Sequence, residues 1–178
     1  MDYISILRGI NVGGKRKILM ADLKKMYEGM EFERVQTYIQ SGNVFFTTSK
    51  KVSKGELEQQ LEKQIEKTFG YDVPVIVKTR EELGRAIQIN PFLKEADFEE
   101  EKLYVIFLQK KPLEEHLNTL KEIPVSADRF VVEEEFIFIY YAEKISNSKL
   151  TNNYFEKKLK VIATTRNWKT MVKLMLLP

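Results

Sequence analysis

Apolar and polar positions alternate along residues 2–8, with Tyr3, Ser5 and Leu7 on one side and Ile4 and Ile6 on the other, until Gly9 ends the run. A period of two predicts a β-strand. Met20, Leu23, Met26, Tyr27 and Met30 then recur at helical spacing, predicting an amphipathic helix over 20–30 that ends near Gly29. Residues 34–40 and 43–48 return to strand character on either side of Ser41-Gly42. That is a hairpin signal, because glycine tolerates positive φ. Ser53-Lys54-Gly55-Glu56 reads as a capping box, opening a helix with Leu57, Leu61 and Ile65 four apart that stops near Gly70. Residues 73–78 predict a fourth strand, and Arg80–Ile89 a short helix closed by Asn90-Pro91.

The second half repeats this order. Residues 102–109 read as a strand, and 112–120 as a helix with Pro112 at its first position. Arg129–Glu133 and 136–141 form a hairpin, and 149–160 is amphipathic through Leu150, Tyr154, Phe155 and Leu159. Residues 161–165 predict a short strand, and 168–177 a helix behind Asn167 as N-cap. A short string also recurs: V-I-V-K-T-R at 75–80 and V-I-A-T-T-R at 161–166, which makes Arg166 the counterpart of Arg80. The predicted class is α+β, with two ferredoxin-like (βαββαβ) subdomains from an internal duplication packed as one unit. The expected boundaries are 1–90 and 102–178, with the acidic, aperiodic stretch 91–101 as linker. Tyr3, Leu7, Tyr38 and Phe45 read as a second apolar face of the first sheet, and neither face of 136–141 is polar. Such strands are buried on both sides, so the halves are expected to share a core.

Composition narrows the class. Of 178 residues, 43% are apolar and 31% charged, which excludes disordered and collagen-like chains. No cysteine is present, so disulfides, thiolate zinc sites and cysteine nucleophiles are excluded. Residues 1–4 show no basic leader pattern, and no apolar run reaches bilayer length. A reduced, cytoplasmic setting without membrane partners is expected. The net charge is only +3, but it is unevenly spread. Arg8, Lys15, Arg16 and Lys17 lie in a stretch without acids, eight Lys/Arg face Glu143 and Glu156 within 143–173, and 95–101 is acidic. Such asymmetry suits an anionic partner, although solvated helix faces would produce it too.

The chemistry-like segment is Arg8-Gly9-Ile10-Asn11-Val12-Gly13-Gly14-Lys15-Arg16-Lys17. Gly9 through Lys15 satisfies the start of a phosphate-binding P-loop. Arg16, however, stands where a magnesium-binding Ser/Thr belongs, and the helix begins about five residues too late to cradle a phosphate. A looser anion site remains, built from glycine amides and converging cations; a glycine-rich turn with solvated lysines fits equally. In the predicted topology Arg8, Asn11, Gly13, Gly14 and Lys15 come near Gln40, Ser41 and Asn43, the candidate ligand-binding set. Hydrogen bonding that merely stiffens two loops is the alternative. Gly9, Gly42, Thr165, Arg166, Asn167 and Trp168 are read as structural, with Trp168 a buried anchor and Arg8 and Lys15 exposed. His116 has no partner for base or zinc chemistry, and Glu133-Glu134-Glu135 reads as a solvated turn. Neither a cofactor nor a metal is implied, and no catalytic constellation is legible.

The segments L-R-G-I-N-V-G-G-K, M-A-D-L, T-Y-I-Q-S-G-N-V and, near the end, A-T-T-R-N-W resemble a bacterial family known as domain of unknown function 1697. The resemblance implies a duplicated ferredoxin-like architecture and carries no assigned activity. The expected function is a binding module for an anionic partner, nucleic acid or a phosphorylated ligand, at the 8–17 loop and 40–43 turn. A small-ligand receptor or enzyme acting on an anion at the same loops is the alternative.

Overall fold

The first strand of the pattern, β1 (Asp2–Leu7), lies inside a four-stranded antiparallel sheet with β2 (Glu33–Tyr38), β3 (Asn43–Thr47) and β4 (Val75–Thr79), in the order β2-β3-β1-β4. The computed structural model describes residues 1–122 and 127–177. Helices α1 (Met20–Gly29) and α2 (Lys54–Phe69) bury Leu23, Met26, Tyr27, Leu57, Leu61 and Ile65 in one core with Tyr3, Leu7, Val44 and Phe46. The capping box at Ser53 forms, and Gly70 ends α2 in the left-handed conformation that lets the chain turn out of the helix. Helix α3 (Arg80–Ile89) follows β4 and has a capping box of its own, since Glu82 N donates to Thr79 Oγ1 and Thr79 N to Glu82 Oε2.

The second half gives a second sheet, from β5 (Leu103–Leu108), β6 (Arg129–Glu133), β7 (Phe136–Tyr140) and β8 (Ala163–Asn167), in the equivalent order β6-β7-β5-β8. Its helices are α4 (Glu114–Asn118), α5 (Asn152–Leu159) and α6 (Trp168–Met175). Phe155 and Leu159 pack with Ile106, Leu108, Ile137 and Ile139. The chain thus forms two compact units, Met1–Gly84 with residues 173–177, and Arg85–Val172.

Pairing separates the faces. Tyr3 opposes Phe46, and both lie on the helix-covered face; Ile4 opposes Phe45 on the other. Tyr3 and Leu7 therefore belong to the helix-side core, and the second apolar face is made by Ile4, Ile6, Phe45 and Ile76, all fully buried. The predicted grouping of Tyr3 and Leu7 with Phe45 mixed the two faces. In the second sheet Val105, Phe107, Phe136 and Phe138 are buried opposite the helix side, and every residue of β7 is buried, as its uninterrupted apolar run implied.

Register also corrects the repeat. Ile4 pairs with Lys78, and Val105 with Arg166. Thr79 and Asn167 each cap the helix that follows. The counterpart of Arg166 is therefore Lys78, not Arg80; the recurring string is offset by two residues from the structural repeat. Both basic side chains are buried, Lys78 at 0% and Arg166 at 7% exposure. Elsewhere the predicted elements shift at their ends. Glu114, not Pro112, is the first residue of α4, with Leu113 as its N-cap, and the five-residue helix is shorter than expected; residues 91–101 contain a 3-10 turn at Pro91–Lys94. Among the described residues no helix is long and apolar enough to cross a membrane.

Candidate functional site

After β1 the chain does not run into a helix N-terminus but doubles back. Val12 and Lys15 form an antiparallel bridge around Gly13-Gly14, whose φ angles are +57° and +73°. Lys15 N donates to the Val12 carbonyl at 3.0 Å, closing a tight turn of the kind glycine pairs make. Helix α1 begins only at Met20, so the P-loop geometry is absent. Asn11, at φ +55°, holds the base of this small hairpin. Its Nδ2 donates to the carbonyls of Ile18 and Gln40 at 2.9 and 2.8 Å, and its Oδ1 accepts from Ile18 N at 2.9 Å.

The 39–42 turn is built to meet it. Leu7 N donates to the Gly42 carbonyl at 2.8 Å. Gly42, at φ +78°, lies so close to Ile10 and Leu7 that an added Cβ would sit 2.6 Å from Ile10 Cδ1 and 2.9 Å from Leu7 Cβ. Asn43 is fully buried, donating to the Tyr38 carbonyl at 3.0 Å and Ser41 Oγ at 3.1 Å. Sequence and structure agree that the two loops meet, and the contact is made by Asn11 with Gln40 and by Ile10 with Gly42. Lys15 stands away at the hairpin tip, exposed with Gly13, Gly14 and Lys17. Arg8 is half-buried rather than exposed, and Arg16 folds back, its Nη1 on the Arg8 carbonyl at 3.4 Å beside Gly9.

The C-terminal motif serves the fold. Asn167 Oδ1 accepts from Thr170 N at 2.8 Å, and Trp168, 3% exposed, meets Phe138 edge-on. Thr165 Oγ1 donates to Asn152 Oδ1 at 2.5 Å. Arg166 Nη1 donates to Thr164 Oγ1 at 3.1 Å and the Thr165 carbonyl at 2.9 Å. Burial pushes the Arg166 guanidinium down to about 10, which still leaves it charged at neutral pH. His116 lies 3.7 Å from Glu115, and Glu134 forms an ion pair with Arg85, so the acidic turn is not simply solvated. Among the described residues no three His, Asp or Glu side chains group as metal ligands.

Two features escaped the sequence reading. Glutamates on the helices cover the amides of the sheet edge: Val77 N donates to Glu58 and Val75 N to Glu62, each at 2.9 Å, and Ala163 N to Glu156 at 2.8 Å. An acidic residue on a helix carries no local mark of that job. The second is an open groove of about 520 Å³ on the second unit, lined by Tyr104, Ile145 and Ser146 with Glu101, Lys102, Glu143 and Lys144, whose charges balance.

The family described as "Protein of unknown function (DUF1697)" matches residues 1–138. The chain belongs to that family. The matched span contains the 8–17 hairpin and the 40–43 turn but ends before the Ala163–Trp168 motif. Among solved structures, the conserved bacterial protein SP0830 from Streptococcus pneumoniae is similar, at 26% identity and a TM-score of 0.75 over 99% of this chain and 97% of that one. No curated protein matches the chain.

Proposed function

We propose that the chain is a ferredoxin-like duplication whose two sequence repeats are 1–90 and 102–178, joined by 91–101, although residues 173–177 pack in the first unit, and that its first half is a cytoplasmic binding module for an anionic partner. The ligand-binding set is the 8–17 hairpin with the 40–43 turn. One observation carries this: Lys15 and Lys17 are exposed at and just after the Val12–Lys15 turn and make no ion pair among the described residues. Unneutralised cations gathered on one loop without acids create a local field that attracts anions. The duplication is supported by the matching strand orders and by the equivalent placement of Lys78 and Arg166.

The amides of Asn11 and Asn43 are engaged with main chain, so they are not free to orient a small substrate. That favours a binding surface over an enzyme. Tyr3, Phe45 and Phe46 are buried, so bases cannot stack on those rings, and the proposed attraction runs through charge. Titrating labelled polyanions (heparin and a DNA duplex) against salt tests the reading. Binding should weaken steeply with salt, and Lys15→Ala with Lys17→Ala should lower the salt slope by roughly two. Salt-independent binding, or none, would remove it. Stabilisation by small phosphates alone would favour a receptor, since a ligand at 100 times its Kd adds about 2.7 kcal/mol.

A further inference from the structure

Val12, Leu19 and Ile39 are 64%, 70% and 46% exposed. Each is Asn11's neighbour in the chain or the neighbour of a residue that Asn11 grips, Ile18 or Gln40. The backbones of these three aliphatic residues therefore lie around the Asn11 clamp of the first unit. Apolar side chains scattered singly over a surface need no explanation, but three exposed ones flanking a single hydrogen-bonded clamp point to an interaction surface. Lys15 and Lys17 rise from the same loop, and residues 8–17 contain no acid.

These features select among anionic partners. A phosphate backbone can neutralise the lysines but offers little apolar surface to cover three aliphatic groups. Base stacking would call for exposed aromatic rings, and none of the exposed large apolar side chains among the described residues is aromatic. A polypeptide supplies both requirements at once, with carboxylates for the rim and apolar side chains for the centre, the arrangement of ordinary protein interfaces. We propose that the 8–19 hairpin region docks an acidic, amphipathic segment of another protein. Its carboxylates lie against Lys15 and Lys17, and its apolar side chains cover Val12, Leu19 and Ile39. The inference rests on the anion-binding reading of the same loop and names its partner class.

Fluorescence anisotropy on the full chain tests it with three labelled probes of equal charge. One is a peptide alternating Asp/Glu with Leu/Ile, one is the same peptide with Ser at the apolar positions, and one is a DNA duplex. The amphipathic peptide should bind about tenfold tighter than the serine peptide, a difference that reads directly as apolar contact. Leu19→Ser with Ile39→Ser should erase that ratio and leave the serine peptide's affinity unchanged, while Lys15→Ala with Lys17→Ala weakens both peptides. Leu113→Ser is the control: Leu113 is 60% exposed beside Lys110 and Lys111 on the other unit, and its loss should change nothing. Equal binding of the two peptides, tighter binding of the duplex, or an equal effect of Leu113→Ser would overturn the docking proposal and leave the anion reading standing. Failure of all three probes would remove both.

Discussion

Glycines 13 and 42 share a backbone conformation and differ in their surroundings, which separates two costs that are usually confounded. Gly13, at φ +57°, has nothing within 4 Å of where a Cβ would stand, whereas Gly42, at φ +78°, has Ile10 and Leu7 inside 3 Å. Gly13→Ala should cost about 1–2 kcal/mol, the left-handed penalty alone. Gly42→Ala adds overpacking of about 1–3 kcal/mol to that. Urea unfolding of both variants checks the difference, and equal midpoints would mean the two loops do not meet as closely as described. Trp168→Ala should cost about 3–5 kcal/mol, since the ring is buried against Phe138; Lys15→Ala, at an exposed tip, should stay within about 0.5 kcal/mol. At this scale the sequence was a fair guide to which residues bear structure. Glycine and tryptophan announce their roles by chemistry. Asn11 and Asn43 do not, because an amide reads alike whether it waits for a ligand or is already bonded to main chain.

Element order was legible almost throughout, because period-two and period-3.6 patterns reflect burial directly; only the ends moved, where capping decides. What no pattern disclosed is how the edge strands β4 and β8 are finished. An edge strand leaves amides that invite another chain, and here α2 and α5 reach over with Glu58, Glu62 and Glu156 to accept them. Glu62 illustrates the energetic compromise. Burial, with a smaller push from Asp72, raises its carboxyl above the ordinary range, against the lowering by its bond from Val75 N. A folded-state value above the unfolded one means the native protein binds the proton more tightly. Stability contributed at this site is therefore greatest when the group is protonated, and falls as pH rises from the ordinary carboxylate value through the raised one. Glu62→Gln keeps the acceptor and removes the charge, so it should leave the urea midpoint equal or higher at pH 7, with the gain vanishing near pH 4. A lower midpoint at pH 7 would show that the charge itself is what the strand edge needs.

At the scale of the molecule, the repeated string at 75–80 and 161–166 falls in two sheets of equivalent strand order, and its alignment is two residues off their register. Identity of letters is blind to hydrogen-bond register, and register pairs Lys78 with Ile4 as it pairs Arg166 with Val105. The displaced residue, Arg80, has a different task. Its Nη1 and Nη2 donate to the carbonyls of Met175 and Leu177 at 3.3 and 2.5 Å, its guanidinium lies 5.0 Å from the Phe45 ring, and Asp2 stands 3.9 Å from its Nε. Residues 173–177 thereby belong to the first unit, with Leu177 97 positions from the arginine that receives it. No local pattern could announce a partner so distant in sequence. The consequence is testable through Leu177, only 6% exposed and lying at the end of that segment. Leu177→Ala should cost about 2 kcal/mol or more, as truncation of a buried leucine does. Because the segment packs in the first unit, the loss should surface there: amides of β1, β3 and β4 should exchange hydrogen faster, while those of β5 and β7 lag behind. Exchange that accelerates first in β5 and β7 would show that the C-terminal residues support the second unit instead.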